Sequence, residues 1–140
     1  MNSRKIVAID PGKKKCGIVV VDNELKLFEA EVIDNSKLVE KLQGYLDKYK
    51  IYNIVIGSGT YSKEIIQTIK NKYSQLLLTV IAEKNTTILA RKKYFAENPP
   101  RGLLKIIPTS ARIPPKPYDD YSARIIAERF FQKENEKKYN

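Results

Sequence analysis

The sequence predicts one α/β domain spanning residues 1–140, a five-stranded mixed sheet with helices on both faces. Three observations lead there. Nearly unbroken apolar runs, such as Ile6-Val7-Ala8-Ile9 and Ile18-Val19-Val20-Val21, suit strands that are covered on both sides. The first three such segments are separated only by short polar breaks, which makes an antiparallel meander. After residue 35 the apolar period lengthens to that of helices, and strand then alternates with helix. That alternation calls for parallel pairing through right-handed crossovers.

Residues 4–10 read as the first strand, ended by Pro11-Gly12. Residues 16–22 form the second strand, Asn23-Glu24 a polar turn, and 25–33 the third strand. Asn35 or Ser36 caps a first helix whose apolar face is Leu38, Leu42, Tyr45, Leu46 and Tyr49. Residues 53–57 are a short buried strand, and 62–73 a second helix with Ile65, Ile66, Ile69 and Tyr73 inward. A fifth strand occupies 76–82, and a helix capped by Asn85 or Thr86 runs to about residue 96. Residues 98–118 hold six of the seven prolines and no clear period, so they read as a long basic loop. A last helix, from 119 to about 133, carries Ala123, Ile126, Ala127 and Phe130 on one face. The charged tail, 132–140, is expected to fray.

Composition narrows the chemistry. The 26 Lys and Arg against 16 Asp and Glu leave a net charge of +10, which favours polyanionic partners. There is no histidine, which excludes Ser-His and Cys-His nucleophiles and histidine-held metals. The single Cys16 cannot form an internal disulfide, so a reducing cytoplasm is the expected setting. No apolar run approaches the roughly 20 residues that cross a bilayer, and no signal peptide is recognisable, so no membrane partner is expected.

Catalysis must then come from carboxylates, lysines, tyrosines or a carboxylate-held metal. Asp10 ends what should be the central strand, where open α/β sheets place ligand-binding groups. Glu83 follows the fifth strand, beside Thr86 and Thr87. Asp119 and Asp120 open the last helix near the edge of its apolar face. Each has a structural reading as well: a turn-starting Asp, a Glu near the positive end of a helix, and a pair of capping acids. Taken together, three acids from separate segments suit hard cations, Mg²⁺ or Mn²⁺. Two such ions about 4 Å apart would activate water and stabilise the leaving oxygen of a phosphodiester. Basic residues adjoin each acid in sequence: Lys13, Lys14 and Lys15 after Asp10; Arg91, Lys92 and Lys93 after Glu83; Arg101, Lys105, Arg112 and Lys116 before Asp119. They are candidate phosphate contacts, which hold a strand in register without reading its sequence.

At these residues the chain resembles the RuvC-like branch of the ribonuclease H superfamily. More closely it is similar to the YqgF family of predicted Holliday-junction resolvases and pre-16S rRNA-processing nucleases. The resemblance rests on Ile6-Val7-Ala8-Ile9-Asp10-Pro11-Gly12 with Gly17, Ile54-Val55-Ile56-Gly57, Glu83-Lys84-Asn85-Thr86-Thr87 with Ala90-Arg91, and Asp119-Asp120-Tyr121-Ser122-Ala123. It implies a ribonuclease H-like fold and a two-metal nuclease acting on RNA or branched DNA, with Asp10, Glu83 and Asp120 as catalytic and metal-binding acids. The helical count alone slightly prefers Asp119, so both aspartates stand as candidates with Asp120 first. RuvC-type resolvases act as dimers, which raises a homodimer here, although no residue marks an interface. Two departures appear: Ala82 stands where the family often has a second acid, and the proline-rich loop is longer than in the best-known members.

Two other readings compete. One is a non-catalytic nucleic-acid-binding module on the same fold, as in ribosome assembly or transcription. The other is a phosphate-binding ATPase fragment, since Asp10-Pro11-Gly12-Lys13 before a hairpin resembles the phosphate loop of actin-like ATPases. Those enzymes need two such subdomains to enclose a nucleotide.

Overall fold

The structure, a computed structural model, describes residues 4–82, 96–97 and 119–139. Five strands, β1 (Lys5–Asp10), β2 (Lys15–Asp22), β3 (Leu27–Asp34), β4 (Ile51–Gly57) and β5 (Leu77–Ile81), form one sheet in the order β3-β2-β1-β4-β5. The meander β1-β2-β3 is antiparallel, while β4 and β5 join parallel to β1, as the sequence predicts. β1 is therefore central, which is why Ile6, Val7, Ala8 and Ile9 are all fully buried.

Strand alternation divides the core in two. Val7, Ile9, Ile18, Val20, Ile54 and Ile56 face one way, onto α1 (Leu38–Lys48) and α2 (Ser62–Lys72) through Leu38, Leu42, Tyr45, Ile65 and Ile69. A bulge in β4 steps the register from Lys5↔Ile51 to Val7↔Ile54. That extra residue lets Ile51 and Ile54, three apart, fill the same side. On the other face Ile6, Ala8, Val19, Val21, Val55 and Ile81 meet α3 (Asp119–Tyr139). Ala123, Ile126, Ala127, Phe130 and Phe131 supply its contact, and the two alanines let the helix axis settle close to β1 and β2.

The structure corrects three expectations. The third strand begins at Leu27, because Leu25 turns with φ 65° while the buried Asp22 carboxylate accepts from the Glu24 and Lys26 amides. Neither Asn35 nor Ser36 caps α1 through its side chain; residues Asn35–Lys37 form a 3₁₀ turn, and the amide of Asn35 is used elsewhere. The last helix does not end near residue 133: α3 continues helical to Tyr139, and Arg4 pairs with it beyond the core through Glu134. No described helix is long and apolar enough to cross a membrane. The expected helix after residue 85 lies outside the described residues, except that Ala96 and Glu97 are helical; the loop 98–118 lies outside them entirely.

Candidate functional site

Asp10 occupies the last position of the central strand and is half-buried. By alternation it shares the face of Ile6 and Ala8, the one that α3 covers. Its partner across β2 is Gly17. On the other side Ile9 pairs with Ile56, so Gly57 is the residue that accompanies Asp10 on β4. Both glycines have the parity of the α3 face, with Val19 and Val55. The residues beside Asp10 on both neighbouring strands are therefore glycines.

α3 runs antiparallel to β1. Glu134 accepts from Arg4, just before β1, and every residue of α3 in the shared core precedes Glu134. Fourteen residues of helix back to Asp120 rise about 21 Å at about 1.5 Å each. The six residues from Arg4 to Asp10 span about 20 Å of strand. The first turn of α3, holding Asp119 and Asp120, is thus carried toward the Asp10 end of the sheet. Near that turn Tyr121 donates to Glu97 at 2.8 Å, and Arg124 pairs with Glu97 at 3.1 Å. Arg129 donates to the Ala82 carbonyl at 2.8 Å, tying α3 to the residue just after β5. Glu83, Arg91, Lys92, Lys93, Arg101, Lys105, Arg112 and Lys116 lie outside the described residues. Among the described residues no three Asp, Glu or Cys side chains are grouped closely enough to hold a metal.

Lys13, Lys14 and Lys15 are exposed at the Asp10 end, Lys15 as the first residue of β2. Pairing of Lys15 with Asp34 brings the start of α1 beside them, and with it the exposed Lys37. Lys37 was not among the candidates read from sequence, since 22 residues separate it from Lys15 and only the β2–β3 register joins them. Asn35, expected from sequence only as a helix cap, is a second such residue: its side chain reaches the turn after Asp10.

A separate polar cluster lies where α1 covers β3. Tyr45 donates to Glu31 at 2.7 Å and Lys41 pairs with the same oxygen at 2.7 Å. Burial alone would raise the Glu31 pKa, but those two bonds outweigh it and hold the carboxyl below its ordinary range. Burial and the Glu31 carboxylate push the Tyr45 phenol above its own.

Residues 4–101, well over half of the chain, match the family model of the Tex protein YqgF-like domain. The chain belongs to that family. The match of this YqgF-like domain takes in Asp10 and the position of Glu83 but stops short of α3. Among solved structures, RuvC of T. thermophilus in complex with a Holliday junction substrate is similar over 93% of this chain and 96% of its own, with a TM-score of 0.56 and 12% identity. A second Thermus thermophilus RuvC structure gives a TM-score of 0.51 at 12% identity over 92% and 96%. At that identity the likeness is one of fold, and the YqgF-like domain has the RuvC type of ribonuclease H-like fold across nearly its whole length. No curated protein matches the chain.

Proposed function

We propose that this YqgF-like domain is a metal-dependent nuclease that hydrolyses phosphodiester bonds in structured nucleic acid, either branched DNA or precursor rRNA. The observation that carries the reading is Asp10, at the C-terminal end of the central strand, with Gly17 and Gly57 beside it on the neighbouring strands and the first turn of α3 carried toward the same end of the sheet. Asp10, Glu83 and Asp120 are the acids we assign, with Asp119 as the alternative from the same turn. Their chemistry fits the assignment, for an all-carboxylate set without histidine suits Mg²⁺ or Mn²⁺. Such ions, when bound, would lower the pKa of water and neutralise charge on a phosphodiester.

The chain's own residues have simpler tasks. Asp10, on a strand locked from both sides, offers oxygens that need little reorganisation, which is how preorganised sites gain rate. Lys13, Lys14 and Lys15 would bind phosphates next to it and fix the register of the substrate. Arg91, Lys92, Arg101, Lys105, Arg112 and Lys116 would extend that path on segments that adjoin Glu83 and Asp119 in sequence. The Holliday junction held by one RuvC neighbour supports a branched substrate; the excess of positive charge serves RNA equally well. A homodimer and a cytoplasmic setting belong to the same reading.

The test is cleavage of labelled Holliday junctions and stem-loop RNA with Mg²⁺ or Mn²⁺. Asp10→Asn should reduce cleavage by more than the 10–100-fold typical of losing an outer partner of a metal ligand, with about the native melting temperature. Equal cleavage by both proteins removes the assignment. Ala82, in place of an acid, favours a second reading, a binding module without catalysis. Binding that persists in EDTA, with no product on either substrate, would select it.

A further inference from the structure

β2 overshoots β1. The last β1–β2 pair is Asp10↔Gly17, whereas Lys15 and Cys16 pair onward only with β3, opposite Asp34 and Ile33. Residues 11–14 therefore lean on the end of β3. Three successive carbonyls of this turn converge on one residue. Asn35 donates from Nδ2 to the Gly12 and Lys13 oxygens at 3.0 and 3.1 Å, and its backbone N–H donates to the Lys14 oxygen at 2.8 Å. Carbonyls only accept, so the amide must turn its nitrogen toward them. An Asp of the same shape has no donor to offer, Ser and Thr have one each, and Gln is a methylene too long. Gly12 leaves no slack, because a Cβ there would overlap the Lys15 carbonyl oxygen. The Asn35 Oδ1 is buried with no hydrogen-bond partner among the described residues, a cost that the donations offset.

We infer that Asn35 is a positioning residue that holds Lys13, Lys14 and Lys15 as one preformed cationic group beside Asp10, ready for a nucleic-acid backbone. The inference rests on the reading of this edge as the nucleic-acid site. Holding the turn before binding removes the cost of ordering it at the moment of contact. Asp34, exposed opposite Lys15, is the acid nearest the group in the strand register.

The test is anisotropy of a labelled Holliday junction and a labelled stem-loop RNA in EDTA, so that binding is read without hydrolysis. Four proteins are compared: wild type, Asn35→Ala, the triple variant K13A/K14A/K15A, and the two combined. Asn35→Ala should weaken binding about fivefold. The triple variant should weaken it further and flatten the salt dependence by about two to three in slope. Added to the triple variant, Asn35→Ala should change nothing more, because its effect passes through the lysines. If Asn35→Ala binds like wild type while the triple variant does not, the role of Asn35 is overturned alone. If the triple variant binds like wild type, the nucleic-acid reading of this edge falls and the inference with it. If Asn35→Ala weakens binding equally in both backgrounds, its effect does not act through the lysines and the inference is overturned. Should Asn35→Ala lose its native circular dichroism, Asn35→Ser takes its place and is read against the same outcomes.

Discussion

Arg4→Ala should loosen the far end of α3 by a calculable amount. The Arg4 guanidinium donates to both carboxylate oxygens of Glu134 at 2.6 and 2.7 Å, and to Asn53 at 3.4 Å. It also lies 5.5 Å from the ring centroid of Phe130. The ion pair is 48% and 37% exposed, so screening limits it to about 0.5–1 kcal/mol. The ring contact adds about 0.5–1 kcal/mol, and the long bond to Asn53 little. The sum is about 1–2 kcal/mol, which for a domain of this size lowers the melting temperature by about 3–8 °C. Thermal and urea unfolding of Arg4→Ala, Glu134→Gln and the double variant should give a coupling of about 0.5–1 kcal/mol that shrinks in high salt. Zero coupling, or a coupling indifferent to salt, would refute the claim that this pair pins the helix. So would a loss above about 4 kcal/mol, which belongs to core cavities and not to a half-exposed pair.

Other outcomes follow from the same geometry. Tyr45→Phe removes the hydroxyl that donates to Glu31, and should cost about 1 kcal/mol, since Glu31 is 41% exposed. With its folded pKa lowered, Glu31 contributes stability above the ordinary carboxylate range and loses it as pH falls through the lowered value. In Tyr45→Phe the Glu31 pKa should rise and that acid loss should shrink, as carboxyl-carbon NMR titration and urea midpoints between pH 2 and 6 would read. Gly12→Ala forces a Cβ onto the Lys15 carbonyl, which cannot swing aside like the end of a side chain, and should cost about 2 kcal/mol. Unchanged urea unfolding would contradict it. Ile126→Ala, at a fully buried position between α3 and the sheet, should cost about 2–5 kcal/mol with an unchanged urea slope.

The elements most legible in the sequence are those that carry their reason locally. Ile6 to Ile9 and Ile18 to Val21 are apolar at every position because both faces are covered, and they emerge as β1 and β2. Leu38, Leu42 and Tyr45 repeat at helical spacing and point inward as expected. Less legible is whatever depends on register. The β4 bulge moves the start of that strand from the expected Asn53 to Ile51, and no local pattern announces it. Asn35 looks like a helix cap by residue type, yet its donors are taken by a turn 22 residues earlier. Glu134 belongs to a run of charges that looks solvated until Arg4, at the other end of the chain, is brought beside it. Of the candidate site, Asp10 was readable from the strand it ends. Gly17 and Gly57 stood out in the sequence as parts of separate motifs, and that both lie beside Asp10 follows only from β1 being flanked by β2 and β4.

The arrangement of α3 also has a consequence during synthesis. Among the described residues, α3 covers the sheet face formed by Ile6, Ala8, Val19, Val21, Val55 and Ile81. Translation completes that face with Ile81, and reaches Phe131 fifty residues later, an interval of about 3–10 s at about 5–20 residues per second. For those seconds the nascent chain holds this apolar surface without α3, a state that invites chaperones or neighbouring polysomes. Ribosomes stalled between the two points should release fragments that clump, whereas fragments that include Phe131 should stay dispersed.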